Sequence, residues 1–146
     1  MDGTKDPKQT IKAGYNFIKK NKGIDLIILS IGPEYDPHIA YNTSGKSNIN
    51  SKMRVVDLPP ETFQGKSHKG ITIGIKDLLE TKKALLIAYG KDKARSLSLA
   101  FNRKVNVNKV PASALLLHKN LIVVIDKDAG KFLIHLTHPK MSFRVK

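Results

Sequence analysis

Two side chains able to carry protons, Asp36 and His38, stand two residues apart directly after an apolar run that breaks at Gly32-Pro33. An imidazole titrates near neutral pH and can both accept and donate a proton. The run itself, residues 24–31, is interrupted only by Asp25 and Ser30. It is short, rich in β-branched residues and not alternating, which predicts a strand buried on both faces, as in a parallel sheet. Ligands of open α/β sheets sit beyond the carboxyl ends of the strands, and the Asp36–His38 loop falls where such a site would lie. An ordinary polar loop has the same spacing. A second stretch, Gly45-Lys46-Ser47, ends like a phosphate-binding P-loop, but the position five before Gly45 is Ala40 and no strand leads directly into it. A nucleotide P-loop is therefore rejected.

The elements that must position this loop are legible in order. Asp6 can cap a helix whose first turn suits Pro7. Ile11, Tyr15 and Ile18 then share one face, and Lys19, Lys20 and Lys22 crowd the end before Gly23. Residues 53–58 read as a short strand, and Gly65 to Gly70, with Lys66, His68 and Lys69, as a polar loop. Residues 71–75 lead into a short helix at 76–80. A second apolar strand, 84–89, ends at Gly90, and a helix over 91–101 puts Ala94, Leu97 and Phe101 on one face. Another helix spans 110–117, and a third apolar strand spans 121–125. Strands interleaved with helices predict an α/β fold with a parallel sheet flanked by helices. In the tail, residues 131–136 and 142–145 can pair as a C-terminal β-hairpin.

A chain of 146 residues is one domain's worth, and a 40% hydrophobic content suits a soluble globular protein. No apolar run approaches the roughly 20 residues of a membrane span, and the polar, mixed-charge start does not read as a secretory signal. The absence of cysteine excludes disulfides and thiolate chemistry and is compatible with a reducing cytoplasm. The net charge of +14 grows along the chain, from +2 in residues 1–50 to +5 in 51–100 and +7 in 101–146. Such charge attracts phosphosugars, nucleic acids or acidic proteins. The lysines are scattered, however, tryptophan is absent, and no nucleic-acid motif is present, so nucleic acid is not the expected partner.

Ile31-Gly32-Pro33 followed by Asp36-Pro37-His38-Ile39-Ala40-Tyr41-Asn42 resembles the active-site loop of the glucosamine-6-phosphate deaminase (isomerase) family, Gly-x-Asp-Gly-His-Ile-Ala-Phe-Asn-Glu-Pro. The sister 6-phosphogluconolactonases share Asp-Gly-His and then usually diverge, so Ile-Ala-Tyr-Asn favours the deaminase branch. Further similarities follow in the family's order: Arg54-Val55-Val56 with Pro60-Glu61-Thr62, Thr72-Ile73-Gly74-Ile75, Gly90-x-x-Lys93-Ala94, and residues 110–118 ending Leu115-x-Leu117-His118. The resemblance implies a three-layer, Rossmann-like α/β fold over residues 1–129, matching the C-terminal half of the family fold, with 130–146 left as a basic tail or hairpin. It implies conversion of an amino-sugar phosphate to fructose 6-phosphate and ammonia, in a cytoplasmic protein without metal or cofactor. His38 would then serve ring opening, with Asp36 as the carboxylate that tunes it. Lys93 would bind the substrate phosphate, at a helix start where backbone N–H groups favour an anion. Arg54 resembles an arginine that binds an allosteric phosphosugar in some members, and His118 is read as structural.

Four departures argue against catalysis by this stretch alone. Glu34-Tyr35 looks like an insertion that would displace the Asp36 carboxylate. Pro37 replaces the motif's glycine, and Thr43 its glutamate. The family's Gly-Gly phosphate loop and the Asp-Glu segment with the proton-abstracting aspartate have no counterpart here. The expected forms are thus a deaminase-like domain, truncated or degenerate, that works with a missing half; a non-catalytic relative binding a phosphosugar or a partner; or a basic interaction protein on the same fold. A homo-oligomer, or a partner chain supplying the missing half, is expected because an open sheet edge is a liability.

Overall fold

The computed structural model describes residues 6–58, 68–134 and 141–145, the last stretch as backbone. Helix α1 (Pro7–Lys20) begins as expected, with the Asp6 carboxylate accepting the Lys8 N–H, and it ends in basic residues. Its face of Ile11, Tyr15 and Ile18 is only half-buried. Tyr15 Oη donates to Asp77 Oδ2 at 2.8 Å, which anchors α1 to the helix that carries Asp77.

The main sheet has four strands, β1 (Ile27–Leu29), β4 (Ala84–Ala88), β5 (Leu121–Ile125) and β6 (Met141–Val145), in that spatial order and all parallel. Their carboxyl ends therefore share one rim. Between β1 and β4 the chain makes an antiparallel ribbon, β2 (Arg54–Leu58) with β3 (His68–Thr72), followed by the short helix α2 (Ile75–Leu79). Between β4 and β5 a 3₁₀ turn (Lys91–Lys93) runs into α3 (Ala94–Phe101), and a second 3₁₀ segment spans Pro111–Leu117. Helix α4 (Lys127–Gly130) follows β5. Among the described residues, no helix is long and apolar enough to cross a membrane.

Three expectations are corrected. Residues 68–70 are not loop but the start of β3; the rest of that expected loop lies outside the described residues. Residues 131–134 form no strand, and Met141–Val145 pairs parallel with β5, so the described backbone does not form the expected hairpin arm; residues 135 and 136 lie outside the described residues. Parallel pairing gives the last strand a place on a sheet whose other members are already apolar.

The third correction concerns burial. The apolar runs predicted strands covered on both faces, but only one face is buried. Leu29, Leu86, Val123 and Ile125 point into a core completed by Ile75 and Leu78 of α2, Leu97 of α3 and Leu115. The alternate residues, Ile28, Leu85, Ile87, Ile122 and Val124, occupy the opposite face. Ile28 is 62% exposed, and the other four are only partly covered. Register puts Ile28 beside Leu85 and Leu85 beside Ile122, so these residues form one apolar surface.

His118 is structural, as expected, and buried. Its Nδ1 accepts the Asn120 N–H at 3.0 Å, so its Nε2 carries the proton and donates to Thr81 Oγ1 at 3.0 Å. The Thr81 hydroxyl passes the chain on to the Leu78 carbonyl. Burial holds the imidazole below its ordinary pKa. A histidine whose pKa is lower folded than unfolded contributes stability that is present above about pH 6.5 and lost as pH falls through the folded value. Urea melts between pH 7.5 and 5 should show this loss. His118→Gln should flatten it, at a cost of about 1–3 kcal/mol at pH 7.5; a variant with the parent's full pH slope would rule His118 out as its source.

Candidate active site

Strand β1 delivers the chain to the rim, where the buried Ile31 and Gly32 turn it into the loop. The Gly32 N–H donates to the His38 carbonyl at 2.9 Å, and the His38 N–H to the Asp36 carbonyl at 2.7 Å. This folds the loop back so tightly that a side chain at Gly32 would overlap the His38 ring and the Asp36 carbonyl. Glycine is needed here for close approach, not for an unusual φ. The Asp36 N–H closes a turn onto the Pro33 carbonyl at 3.1 Å, so Glu34 and Tyr35 sit at an exposed tip. The two extra residues therefore do not carry the Asp36 carboxylate away from His38.

Asp36 Oδ2 lies 3.0 Å from His38 Nδ1, and Asp36 Oδ1 accepts the Ser44 N–H at 2.8 Å. A carboxylate can only accept, so in the neutral imidazole Nδ1 carries the proton and Nε2 the lone pair. His38 lines a cleft of about 440 Å³ that it shares with Ile27 to Ser30, Ala40, Tyr41 and residues 71–73. The cleft runs along the side of β1 away from β4, and none of the described residues lining it is a carboxylate. The Pro37 carbonyl accepts the Ala112 N–H at 3.0 Å, so the proline in the motif's glycine position is built into the packing. The unusual backbone lies further on, at Ala40, with φ of 50°, a left-handed conformation that costs a residue with a Cβ about 1–2 kcal/mol.

Lys93 reaches the same rim from the 3₁₀ turn after β4. Its Nζ donates to the Ile31 carbonyl at 2.8 Å, one residue before Gly32. The turn starts at Gly90, whose φ of 87° favours glycine. Asp126, at the end of β5, holds this turn: its carboxylate accepts the Gly90 N–H at 3.0 Å and caps α4 through the Ala129 N–H at 2.8 Å. Arg54 is not at the cleft wall but behind the loop, where Nη1 donates to Asn42 Oδ1 at 2.9 Å. Burial lowers its pKa, and it remains a cation.

Asn42 and Asp126 were not singled out from sequence as site residues. Asn42 is fully buried and is bonded at both ends of its amide: Nδ2 donates to the carbonyls of Ile39 (3.0 Å) and Ile73 (2.9 Å), and Oδ1 accepts from Arg54. With the Tyr41 N–H bonded to Thr72 Oγ1 at 3.0 Å, it fastens the loop to the base of the β2–β3 ribbon. The available signals were an amide closing the Ile39-Ala40-Tyr41 stretch and an aspartate directly after an apolar strand.

A parallel sheet with helices packed on it and a carboxylate–imidazole pair at its carboxyl rim defines a class, and comparison with known proteins gives the relatives. No family model matches the chain. The solved structure of a monomeric glucosamine-6-phosphate deaminase, described as a missing link of the NagB superfamily, superimposes with a TM-score of 0.76 at 26% identity, over 89% of this chain and 56% of the other. A 6-phosphogluconolactonase from Trypanosoma cruzi shares the fold, with a TM-score of 0.63 at 16% identity over 92% of this chain and 56% of its own. By sequence the chain is homologous to the glucosamine-6-phosphate deaminases. It is 38% identical over 123 residues to that of Clostridium botulinum (strain Langeland), a match covering 77% of this chain and 49% of the relative. The deaminase of Halothermothrix orenii is 35% identical over 126 residues, covering 80% of this chain and 51% of the relative. The chain thus spans about half the length of the curated relatives it matches.

The tight seat at Gly32 gives a direct test. Gly32→Ala should lower stability by about 1–3 kcal/mol and shift the His38 ring resonances in NMR spectra. An alanine variant with unaltered His38 signals would show that the ring does not depend on this contact.

Proposed function

We propose that this chain carries the ring-opening and phosphate-binding part of a glucosamine-6-phosphate deaminase-type site. The observation that carries the reading is the His38–Asp36 pair at 3.0 Å, on the wall of a cleft at the carboxyl rim. With Nδ1–H held by Asp36, His38 Nε2 takes the proton of the sugar's anomeric hydroxyl. As the C1–oxygen double bond forms, the ring C1–O bond breaks, and the same nitrogen returns the proton to the departing ring oxygen. His38 ends as it began, and the sugar is open. Lys93 supplies the cation for the phosphate, exchanging its bond to the Ile31 carbonyl for a charge-assisted one.

The later steps need a base at the carbon next to the carbonyl, and the described residues of the cleft lining include no carboxylate for it. This favours a division of labour in which the present residues bind and open the sugar, and ammonia release requires a carboxylate from another segment. The same lack of a base is what a non-catalytic phosphosugar-binding relative would show. The two readings differ in whether His38 turns over.

NMR exchange spectroscopy of glucosamine 6-phosphate with the 146-residue chain separates them. Anomer interconversion should speed up, with little ammonia formed, and His38→Ala should remove about 10²–10⁴-fold of that acceleration. Binding without acceleration would leave the non-catalytic reading. Lys93→Ala should weaken glucosamine 6-phosphate about tenfold and unphosphorylated glucosamine hardly at all. That difference corresponds to one charge-assisted hydrogen bond, and equal losses would remove the phosphate role.

A further inference from the structure

Two cations hold the rim loop from the α3 side. Lys93 Nζ donates to the Ile31 carbonyl at 2.8 Å. Two residues further on, Arg95 Nη1 approaches Glu34 Oε1 at 3.6 Å. Residues two apart on a helix have Cα atoms about 5.4 Å apart, and these two side chains end on loop residues three apart. Both therefore reach the stretch between β1 and the Asp36–His38 pair. Glu34 lies in the exposed tip with Tyr35, above the turn that the Asp36 N–H closes on the Pro33 carbonyl. The Glu34 and Arg95 side chains are 54% and 67% exposed, and a pair so exposed adds little to stability, so it is readily exchanged. The guanidinium has a second support. Its Cζ lies 5.8 Å from the centre of the Phe132 ring, within cation–π range, so Arg95 keeps its place when Glu34 leaves.

A phosphate monoester carries about −1.5 to −2 near pH 7, more than Lys93 alone balances. We propose that Arg95 is the second cation of the phosphate site, and that Glu34 occupies it while the site is empty. An arriving phosphate displaces the Glu34 carboxylate and accepts two parallel N–H bonds from the guanidinium, a better match than the single 3.6 Å approach of Glu34. The loop tip then loses its tie to α3, while His38 keeps its seat at Gly32. Lys91 and Asp92, both exposed on the turn ahead of α3, carry opposite charges and offset each other. The inference rests on the phosphate role of Lys93; it adds the ligand's second contact and a residue of this chain that competes for it.

NMR titrations with inorganic phosphate and with glucosamine 6-phosphate, at fixed ionic strength, test it. Both side chains are exposed, so the variants should melt as the parent does. Arg95→Gln should weaken both ligands about tenfold and leave unphosphorylated glucosamine unaffected. Glu34→Gln should tighten both about two- to fivefold, the worth of one exposed ion pair. In an Arg95→Gln background, Glu34→Gln should gain nothing, because the cation it competes for is gone. If only general electrostatics were at work, the two changes would add, and Lys82→Gln, which removes an equal charge elsewhere, would weaken phosphate as much as Arg95→Gln does. Either result overturns the proposal, as does the absence of saturable phosphate binding by the parent and Glu34→Gln. An Arg95→Gln variant with the parent's affinity also overturns it, and if Lys93→Ala still loses affinity, the phosphate role of Lys93 stands alone.

Discussion

The contact between Gly32 and the His38 ring sets the geometry of the whole rim. The loop returns on itself within a few residues, so the imidazole lies against the backbone that has just left β1. Two consequences follow from that one absence of a side chain. The ring is held by backbone packing before any carboxylate acts on it. Asp36 then has only to fix the tautomer, which it does while its other oxygen is occupied by the Ser44 N–H. Lys93 reads the same stretch from the far side, through the Ile31 carbonyl. The imidazole and the ammonium therefore share a two-residue mount, and it is the turn after β4, held by Asp126, that brings the ammonium to it.

Behind this mount the loop is fastened to the β2–β3 ribbon by an amide, a hydroxyl and a guanidinium. Both N–H groups of the Asn42 amide are bonded, and Thr72 holds the Tyr41 N–H. A buried amide bonded at both ends rigidifies its surroundings, and here it offsets the strain of the left-handed Ala40. The Arg54 guanidinium completes the network from the ribbon side, so displacing Arg54 would be felt at Asn42 and from there along the loop. By contrast, the exposed ion pairs Lys82–Asp25 and Arg95–Glu34 contribute little, as surface pairs generally do.

Much of this was readable from the chain. The apolar runs at 84–89 and 121–125 are strands, Asp6-Pro7 starts a helix, and the spacing of Asp36 and His38 brings them into contact. What failed to show has physical reasons. Residues 68–70 looked like loop because His68 and Lys69 are exposed in the strand and need no apolar alternation. Glu34-Tyr35 looked disruptive because sequence does not show that a turn closes beneath them. Asn42 and Asp126 bond mainly to backbone groups, which carry no residue identity and leave no pattern. The partial exposure of the sheet face that carries Ile28 was the largest miss. A strand with apolar residues on both sides is written the same way whether or not a second layer is present, so local pattern cannot report it.

That partly covered face also shapes how the folded chain responds to temperature. The heat capacity of unfolding comes mainly from apolar surface newly exposed to water. Ile28 and its neighbours are partly hydrated already in the native state, so they add less to that change than their composition suggests. The stability curve of the isolated chain should accordingly be flatter than that of a fully layered domain of equal length, with a shallower maximum and a gentler decline on cooling.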